Sequence, residues 1–209
     1  MGRYTGPVCR LCRREGLKLF LKGTRCDSPK CAIERREGVP GMHPFRKGKA
    51  SEYAIRLREK QKVKRYYGIF ERQFRKYFDM AGRKSGNTGD ALMSLIERRL
   101  DNVVTRLGFA VSRAGARQLI GHGHVTINGR KVDISSYLVR PGDTVAVKDR
   151  EHSKKLATSV LEMEGMPPVP DWLERVTADP PEGRVVRLPS TQDISLPVNP
   201  QLIVELLSR

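Results

Sequence analysis

Four cysteines stand within the first 31 residues of the chain, and none follows them. Cys9 and Cys12 form a C-x2-C pair, and Cys26 and Cys31 form a C-x4-C pair. In a reducing compartment, clustered thiols at such spacings are more typical of a metal site than of disulfides. Because a structural Zn²⁺ ion takes four tetrahedral ligands, the pattern predicts one closed zinc site that organises the N-terminal segment and carries no catalysis.

Two alternatives stay open for these cysteines. An iron–sulfur cluster also needs four thiolates, and four reduced, buried thiols without metal would show the same spacing. Cations near the thiols would stabilise the thiolate form and still leave positive charge facing outward. We expect four N-terminal arginines to contact a polyanion: Arg3, Arg10, Arg13 and Arg14.

The charge of the chain indicates what kind of partner it binds. It has 40 Lys and Arg against 23 Asp and Glu, a formal net charge of +17. Residues 1–100 hold 26 basic and 10 acidic side chains, whereas residues 151–209 hold 6 and 9. This asymmetry predicts a polyanionic partner for the first half. The sequence shows no signal peptide and no run of about 18 apolar residues, so we expect a cytosolic nucleic-acid binder without a membrane partner.

The most basic stretch follows the cysteines. Glycine and proline punctuate a loop over residues 38–49 that is suited to follow a phosphate backbone. Ser51 predicts the N-cap of a helix that runs to about Tyr67 and ends at Gly68. Only two acidic residues lie on this helix, which favours phosphate contact over a solvated charged face. We expect nucleic-acid contacts at Arg46, Lys47, Lys49, Arg56, Arg58, Lys60, Lys62, Lys64, Arg65 and Tyr66.

Apolar spacing predicts two further helices in the first half. One covers about residues 71–81, and a single third helix begins at Thr88 and continues to Leu107. The apolar side chains of the third helix recur at spacings of three and four, so they are expected to form core. They are Leu92, Leu95, Ile96, Leu100, Val103, Val104 and Leu107.

The middle of the chain predicts a short helix followed by a small antiparallel β unit. Ser112 is placed to cap a helix that ends at Gly121. Asn128-Gly129, between two short alternating runs, is the strongest local signal for a two-residue hairpin. A second turn at residues 141–143 precedes another strand. At the C-terminus, Asn199-Pro200 predicts a capped closing helix.

Three stretches of the middle region resemble the alpha-L RNA-binding module: Arg99 to Phe109, then Ser112-Arg-x3-Arg-Gln-Leu-Ile-x-His-Gly-His-Val-x-Ile-Asn-Gly-x-Lys-Val, then Val139-x-Pro-Gly-Asp. Both ends of the chain resemble one family that carries this module, bacterial small-subunit ribosomal protein S-four. The opening is Met-Gly-Arg-Tyr-x-Gly-Pro-x-Cys-Arg-x-Cys-Arg-Arg-Glu-Gly, and the closing run is Leu196-Pro-Val-Asn-x-Gln-Leu-x-x-Glu. Over residues 150–190 only isolated pieces match.

The resemblance implies an α+β fold. Its parts are a helical first domain, an inserted module of short helices plus a small antiparallel β-sheet, and a C-terminal helix that packs back on the first domain. The N-terminal zinc knuckle of the first domain is predicted from the cysteines of this chain and not from the resemblance. The predicted divisions are residues 1–50 for the zinc-binding segment and basic loop, 51–97 completed by 199–209 for the helical domain, and 98–198 for the module with its β extension.

The resemblance also implies a function without catalysis. Family members are structural constituents of the cytoplasmic ribosome that bind the 5′ domain of 16S rRNA, nucleate assembly of the subunit body and contribute to accuracy near the mRNA entry channel. The implied partners are this rRNA, neighbouring small-subunit ribosomal proteins and mRNA, with no small-molecule substrate. Carried onto this chain, the RNA contacts of the module fall on Ser112, Arg113, Arg117, Gln118, His122 and His124, with Asn128 and Arg130 nearby.

Two other classes of protein are weighed against this one. An RNA-modifying enzyme such as a pseudouridine synthase can carry the same module, but the flanking segments hold no recognisable catalytic motif. A zinc-containing transcription regulator would prefer duplex DNA and would keep binding it after deletion of the module. The end-to-end resemblance favours the ribosomal protein over both.

Overall fold

The computed structural model describes residues 4–36, 38–42, 48–163, 167–176 and 178–208. Within these residues the fold consists of helices and one antiparallel sheet, which confirms the predicted α+β class. The chain divides into two compact units, one of Met1–Met93 with Ser195–Arg209 and the other of Ser94–Ile194. The second unit is therefore inserted into the sequence of the first. No helix within the described residues is long and apolar enough to cross a membrane.

The described helices are α1 (Cys9–Glu15), α2 (Ala32–Arg35), α3 (Glu52–Tyr67), α4 (Glu71–Gly82), α5 (Thr88–Glu97), α6 (Leu100–Arg106), α7 (Arg113–Gly121), α8 (Glu151–Leu161) and α9 (Pro200–Leu207). Two 3₁₀ turns lie at Gly23–Cys26 and Thr191–Asp193. The described strands are β1 (Val125–Ile127), β2 (Arg130–Lys131), β3 (Thr144–Val147), β4 (Leu173–Val176) and β5 (Glu182–Val185).

The caps predicted for α3 and α9 are confirmed. Ser51 Oγ accepts a hydrogen bond from the Ala54 N–H at 3.2 Å, and Gly68 ends α3 in the left-handed conformation. Asn199 Oδ1 caps α9 by accepting from the Gln201 N–H at 3.0 Å. With Ile203 buried, α9 packs against α3 as predicted for the C-terminal helix.

The single helix predicted from Thr88 to Leu107 is wrong, because the chain breaks between α5 and α6. Arg99 is extended and pairs with Leu138, while the Leu100 N–H donates to the Tyr137 carbonyl at 2.9 Å. Backbone bonds to another segment therefore replace the helical bonds at this point. The predicted apolar stripe is nevertheless buried along its whole length.

The sheet belongs to the second unit and has the strand order β2-β1-β3-β5-β4, with every pair antiparallel. Asn128 and Gly129 both have positive φ, 49° and 77°, as a type I′ hairpin turn requires. Trp172 and Phe109 lie in the core that this sheet forms with α6 and α7. Helix α8 lies in the stretch where the sequence analysis predicted no element.

Candidate RNA interface

The six cations predicted to contact RNA from α3 all lie in ion pairs within the first unit. Their carboxylate partners include residues of other elements: Glu15 on α1, Glu71 on α4 and Glu205 on α9. The pairs are Arg56–Glu205 at 2.8 Å, Arg58–Glu15 at 3.4 Å, Lys60–Glu71 at 2.8 Å, Lys62–Glu59 at 2.5 Å, Lys64–Glu71 at 2.5 Å and Arg65–Glu15.

Two of these carboxylates have different surroundings. The Glu15 side chain is 1% exposed, and burial raises its pKa even though Arg65 and Arg58 act in the opposite direction. Burial would also raise the pKa of Glu71, but hydrogen bonds from Lys60 and Lys64 lower it to about 2. Both carboxylates therefore fasten α3 to its neighbours, Glu15 by a buried contact and Glu71 by a partly exposed one.

The structure corrects the premise that α3 lacks acidic partners. Sequence spacing detects only partners on the same helix, whereas Glu15, Glu71 and Glu205 come from other elements. Two residues of the predicted interface, Lys60 and Tyr66, are buried, and the Tyr66 hydroxyl lies 2.9 Å from Ser195 Oγ. Arg3, Arg46 and Lys47 lie outside the described residues.

The first unit also carries exposed cations. Arg10, Arg14 and Lys49, all predicted contacts, are exposed, whereas Arg13 is half-buried and donates from Nε to the Gly38 carbonyl at 3.2 Å. Sequence reasoning missed a further set of exposed side chains that take part in no ion pair within the described part of the chain. They are Arg25, Lys30, Arg35, Arg36, Arg72, Lys76, Arg83 and Lys84. Their scatter over several elements hid them from a search for one basic helix.

The four cysteine side chains line one cavity of about 20 Å³. Burial raises the pKa of the Cys12 and Cys26 thiols, and the Lys22 backbone N–H donates to Cys26 Sγ at 3.4 Å. Four soft donors beside a space of this size suit a single small ion. However, no group of three or more His, Cys, Asp or Glu side chains within the described residues is arranged to hold a metal. The zinc site stays a prediction.

In the second unit, the predicted contact residue Arg117 is held by a buried carboxylate. Asp101 is 1% exposed, and its Oδ2 accepts from Arg117 Nε at 2.7 Å. The same carboxylate binds the buried Arg99 guanidinium through both oxygens, at 3.0 and 2.7 Å. Arg117 therefore ties α7 to the start of α6.

A second chain of hydrogen bonds holds Arg113, which is also a predicted contact. Its Nε donates to Asn102 Oδ1 at 2.9 Å, and Asn102 Nδ2 donates to the Glu97 carbonyl at 2.8 Å. Glu97 is buried and pairs with Arg106 at 3.0 Å. Ser112 caps α7 by accepting from the Gly115 N–H at 3.2 Å. The cap predicted at Ser112 is thus confirmed, whereas the structural role of both arginines of α7 was missed by sequence reasoning.

Asn128 and Arg130, the two predicted contacts on the hairpin, have different surroundings. Asn128 Oδ1 accepts from the Thr144 N–H at 2.9 Å, and its Nδ2 donates to Asp143 Oδ1 at 2.9 Å. Its amide therefore fastens the hairpin to β3. Arg130, on the neighbouring strand, is exposed.

The predicted residues Gln118, His122 and His124 lie together on one pocket of the second unit. Gly123 turns the chain between the two histidines with φ of 74°, and a Cβ there would clash with the Lys131 side chain. His124 lies with its Nδ1 2.9 Å from Ser153 Oγ on α8. Burial, followed by nearby histidines and cations, lowers the pKa of His124.

Comparison with known families covers most of the chain. Residues 3–97 match the model described as "Ribosomal protein S4/S9 N-terminal domain", and residues 98–145 match the S4 domain. Together with the two-unit fold, these matches define the class as ribosomal proteins that carry an S4 domain.

Individual relatives match over their whole length. The chain is 55% identical over 209 residues to small ribosomal subunit protein uS4 of Thermoanaerobacter pseudethanolicus, with all of both chains covered. It is 55% identical over 210 residues to uS4 of Thermus thermophilus and 56% identical over 213 residues to uS4A of Symbiobacterium thermophilum, again with complete coverage. The chain belongs to the uS4 family, which confirms the family resemblance.

Proposed function

We propose that this protein is a structural constituent of the small ribosomal subunit that binds 16S rRNA. The observation that carries the proposal is the full-length similarity to small ribosomal subunit proteins named uS4, at 55% identity. The strongly basic first half supports it, because rRNA presents a dense array of phosphates. Neighbouring small-subunit proteins and mRNA are its further partners, and it acts in the cytoplasmic ribosome without catalysing a reaction.

Within the rRNA, the proposed target is the 5′ domain, where binding would nucleate the body of the subunit and support decoding accuracy. Exposed cations of the first unit supply phosphate contacts that position the protein, and affinity should therefore fall steeply with salt. The logarithm of the binding constant should fall by about 0.7–0.9 for each log unit of salt concentration and each neutralised phosphate.

The test is a binding comparison at a stated salt concentration with the full-length chain. The ligands are the 5′ domain of 16S rRNA, an unrelated structured RNA and duplex DNA of equal charge. A preference of about 10³-fold or more for the 5′ domain is expected, as for specific over non-specific binding. Equal affinity for all three would contradict the proposal and leave only a basic protein.

We further propose that Cys9, Cys12, Cys26 and Cys31 hold one structural zinc ion. Their shared cavity and the amide N–H directed at Cys26 support this, since structural zinc sites combine thiolate ligands with outer hydrogen bonds. Such an ion would link α1, the 3₁₀ turn at Gly23–Cys26 and α2. These elements are too short to hold together through a large apolar core of their own.

Elemental analysis of the purified full-length chain tests the zinc proposal. About one zinc per chain is expected, with loss of the metal in Cys9→Ser and retention in Ser28→Ala, whose serine lies among the same short elements. Iron in place of zinc would favour a cluster, and an absence of metal would favour free thiols. Either result would contradict the proposal.

A further inference from the structure

A pocket of about 370 Å³ lies beside α7 and α8 in the second unit. Its apolar lining includes Leu119 on α7 and Leu156 and Val160 on α8. Pockets that hold small organic groups usually have volumes of about 300–1,000 Å³ and apolar walls with a few polar groups. This pocket therefore has the size and lining expected for one small organic group.

Three imidazoles converge on the same pocket. The His124 ring centroid lies 6.1 Å from that of His122 and 5.9 Å from that of His152. His122 and His152 are exposed, and the Ser153 hydroxyl fixes His124 by its contact with Nδ1. Flat rings at the edge of an apolar pocket are suited to stack on a base and to hydrogen-bond its edge.

Helix α8 contributes three residues to the lining of this pocket. His152, Leu156 and Val160 follow each other at intervals of four residues and therefore share one helical face. The matched S4 domain ends at residue 145, before α8 begins. The pocket therefore combines the matched module with an element that lies outside it.

The lining favours a base over a phosphate group. Burial, followed by the neighbouring histidines and cations, lowers the pKa of His124 and so disfavours its charged form. A ring that resists protonation, next to leucine and valine side chains, offers little to a bare anion. The nearby cations Lys148 and Arg150 can instead attract the phosphate backbone next to a base that enters the pocket.

We propose that this pocket binds one unpaired nucleobase of the RNA target. The base stacks against the imidazoles of His122 and His152, its apolar face contacts Leu156, and the Gln118 amide at the pocket lining reads its edge. The inference rests on the proposed rRNA-binding function and adds α8 to the RNA-contacting surface. It assigns base recognition to His122 and His124, which the family resemblance implies only as RNA contacts.

Nucleoside titrations of the full-length chain test the pocket directly. Imidazole resonances of His122, His124 and His152 are followed by NMR while adenosine, uridine, ribose 5-phosphate or inorganic phosphate is added. Adenosine or uridine should shift these resonances, and the two probes without a base should not. Equal shifts with ribose 5-phosphate or phosphate would overturn the proposal, because they would indicate an anion site.

A pocket-filling variant extends the test to RNA. Leu156→Trp places a large ring in the pocket, and Thr158→Trp adds the same ring on another face of α8 as a control. Leu156→Trp should abolish the nucleoside shifts and weaken binding to the 5′ domain by about 10-fold, as for loss of one stacked base. Thr158→Trp should bind like the unmodified chain. His152→Ala removes one ring without adding volume, and it should weaken adenosine binding less than Leu156→Trp does.

The outcomes separate this inference from the proposed function. If the unmodified chain prefers the 5′ domain but Leu156→Trp and His152→Ala bind nucleosides and RNA as well as it does, the pocket inference fails alone. If nucleosides shift the imidazole resonances but the chain shows no preference for the 5′ domain, the pocket binds a base and the proposed rRNA target is wrong.

Discussion

Helices α3 and α4 are neighbours in sequence and both are basic, yet their cations are placed differently. The six predicted cations of α3 all pair with carboxylates of the first unit. On α4, Arg72 and Lys76 are exposed and make no ion pair within the described residues. The more conspicuous helix in the sequence is therefore mainly an internal scaffold, and the less conspicuous one presents charge to solvent.

The comparison shows that local charge density is a poor guide to which cations reach a ligand. Whether a cation is available to a ligand depends on whether another element brings a carboxylate next to it. Helix α7 follows the pattern of α3, since Arg113 and Arg117 are held by Asn102 and Asp101 of α6. Residues that resemble known RNA contacts can thus be needed for the fold as well.

The largest effect is expected at Asp101. Asp101→Ala leaves the buried Arg99 guanidinium without its carboxylate, and loss of one partner of a buried pair costs about 3–5 kcal/mol. Urea unfolding measures this loss of stability through the fluorescence of Trp172. This residue is the one tryptophan of the chain and lies in the core of the same unit. Asp133→Ala, at an exposed carboxylate, is the control, and equal loss in both variants would contradict a special role for Asp101.

A smaller loss is expected at Glu15. Glu15→Gln removes the charge that holds Arg58 and Arg65, and hydrogen bonds to charged groups are worth about 1.5–3 kcal/mol. Hydrogen exchange of the α3 amides measures the local stability. Glu34→Gln removes the carboxylate of the more exposed Lys18–Glu34 pair, and it should change the local stability of α3 little. If the two variants behave alike, the pairing of α3 with α1 does not stabilise the unit.

RNA binding distinguishes the two helices directly. Arg72→Ala with Lys76→Ala should weaken 5′-domain binding and reduce the salt slope by about 1.4–1.8, as for two lost phosphate contacts. Arg56→Gln with Lys62→Gln removes the same positive charge from α3, where both cations lie in ion pairs. This variant should reduce the salt slope of RNA binding less. Thermal unfolding of each variant confirms that it is folded. A larger reduction from the α3 pair would reverse the comparison.

The smallest effect is the pH dependence contributed by Glu71. Its pKa is lowered from 4.5 to about 2 in the folded chain by Lys60 and Lys64, so its stabilisation is present above about pH 4.5 and is lost as pH falls toward 2. The free energies of unfolding of the unmodified chain and of Glu71→Gln should differ at pH 6, and the difference should shrink steadily as pH falls from 4.5 to about 2. A constant difference over this range would contradict the assigned pairing.

The elements predicted correctly from sequence have local signals. Ser51 and Gly68 bound α3, Asn199 caps α9, and Asn128-Gly129 turns the hairpin, and each signal acts within a few residues. The break between α5 and α6 could not be predicted this way. It depends on backbone pairing with Leu138, almost 40 residues later, while the apolar spacing continues without interruption through the break.

Helix α8 was missed although it has a signal. Ser153, Leu156, Ala157 and Val160 recur at spacings of three and four, which is typical of a helix with one buried face. The candidate site was predicted less completely than the fold. The side chains that engage α3 and α7 come from as far as 149 residues away, and only the folded chain brings them together.

Lysine modification with and without the 5′ domain of 16S rRNA tests the central claim most directly. Mass spectrometry after acetylation of the full-length chain should find Lys76 and Lys84 modified in the free protein and protected in the complex. Lys60 and Lys64, whose side chains are 9% and 13% exposed, should stay unmodified in both states. Modification of Lys60 and Lys64 in the free protein with protection by RNA, and no protection of Lys76, would show that α3 is the RNA-binding helix after all.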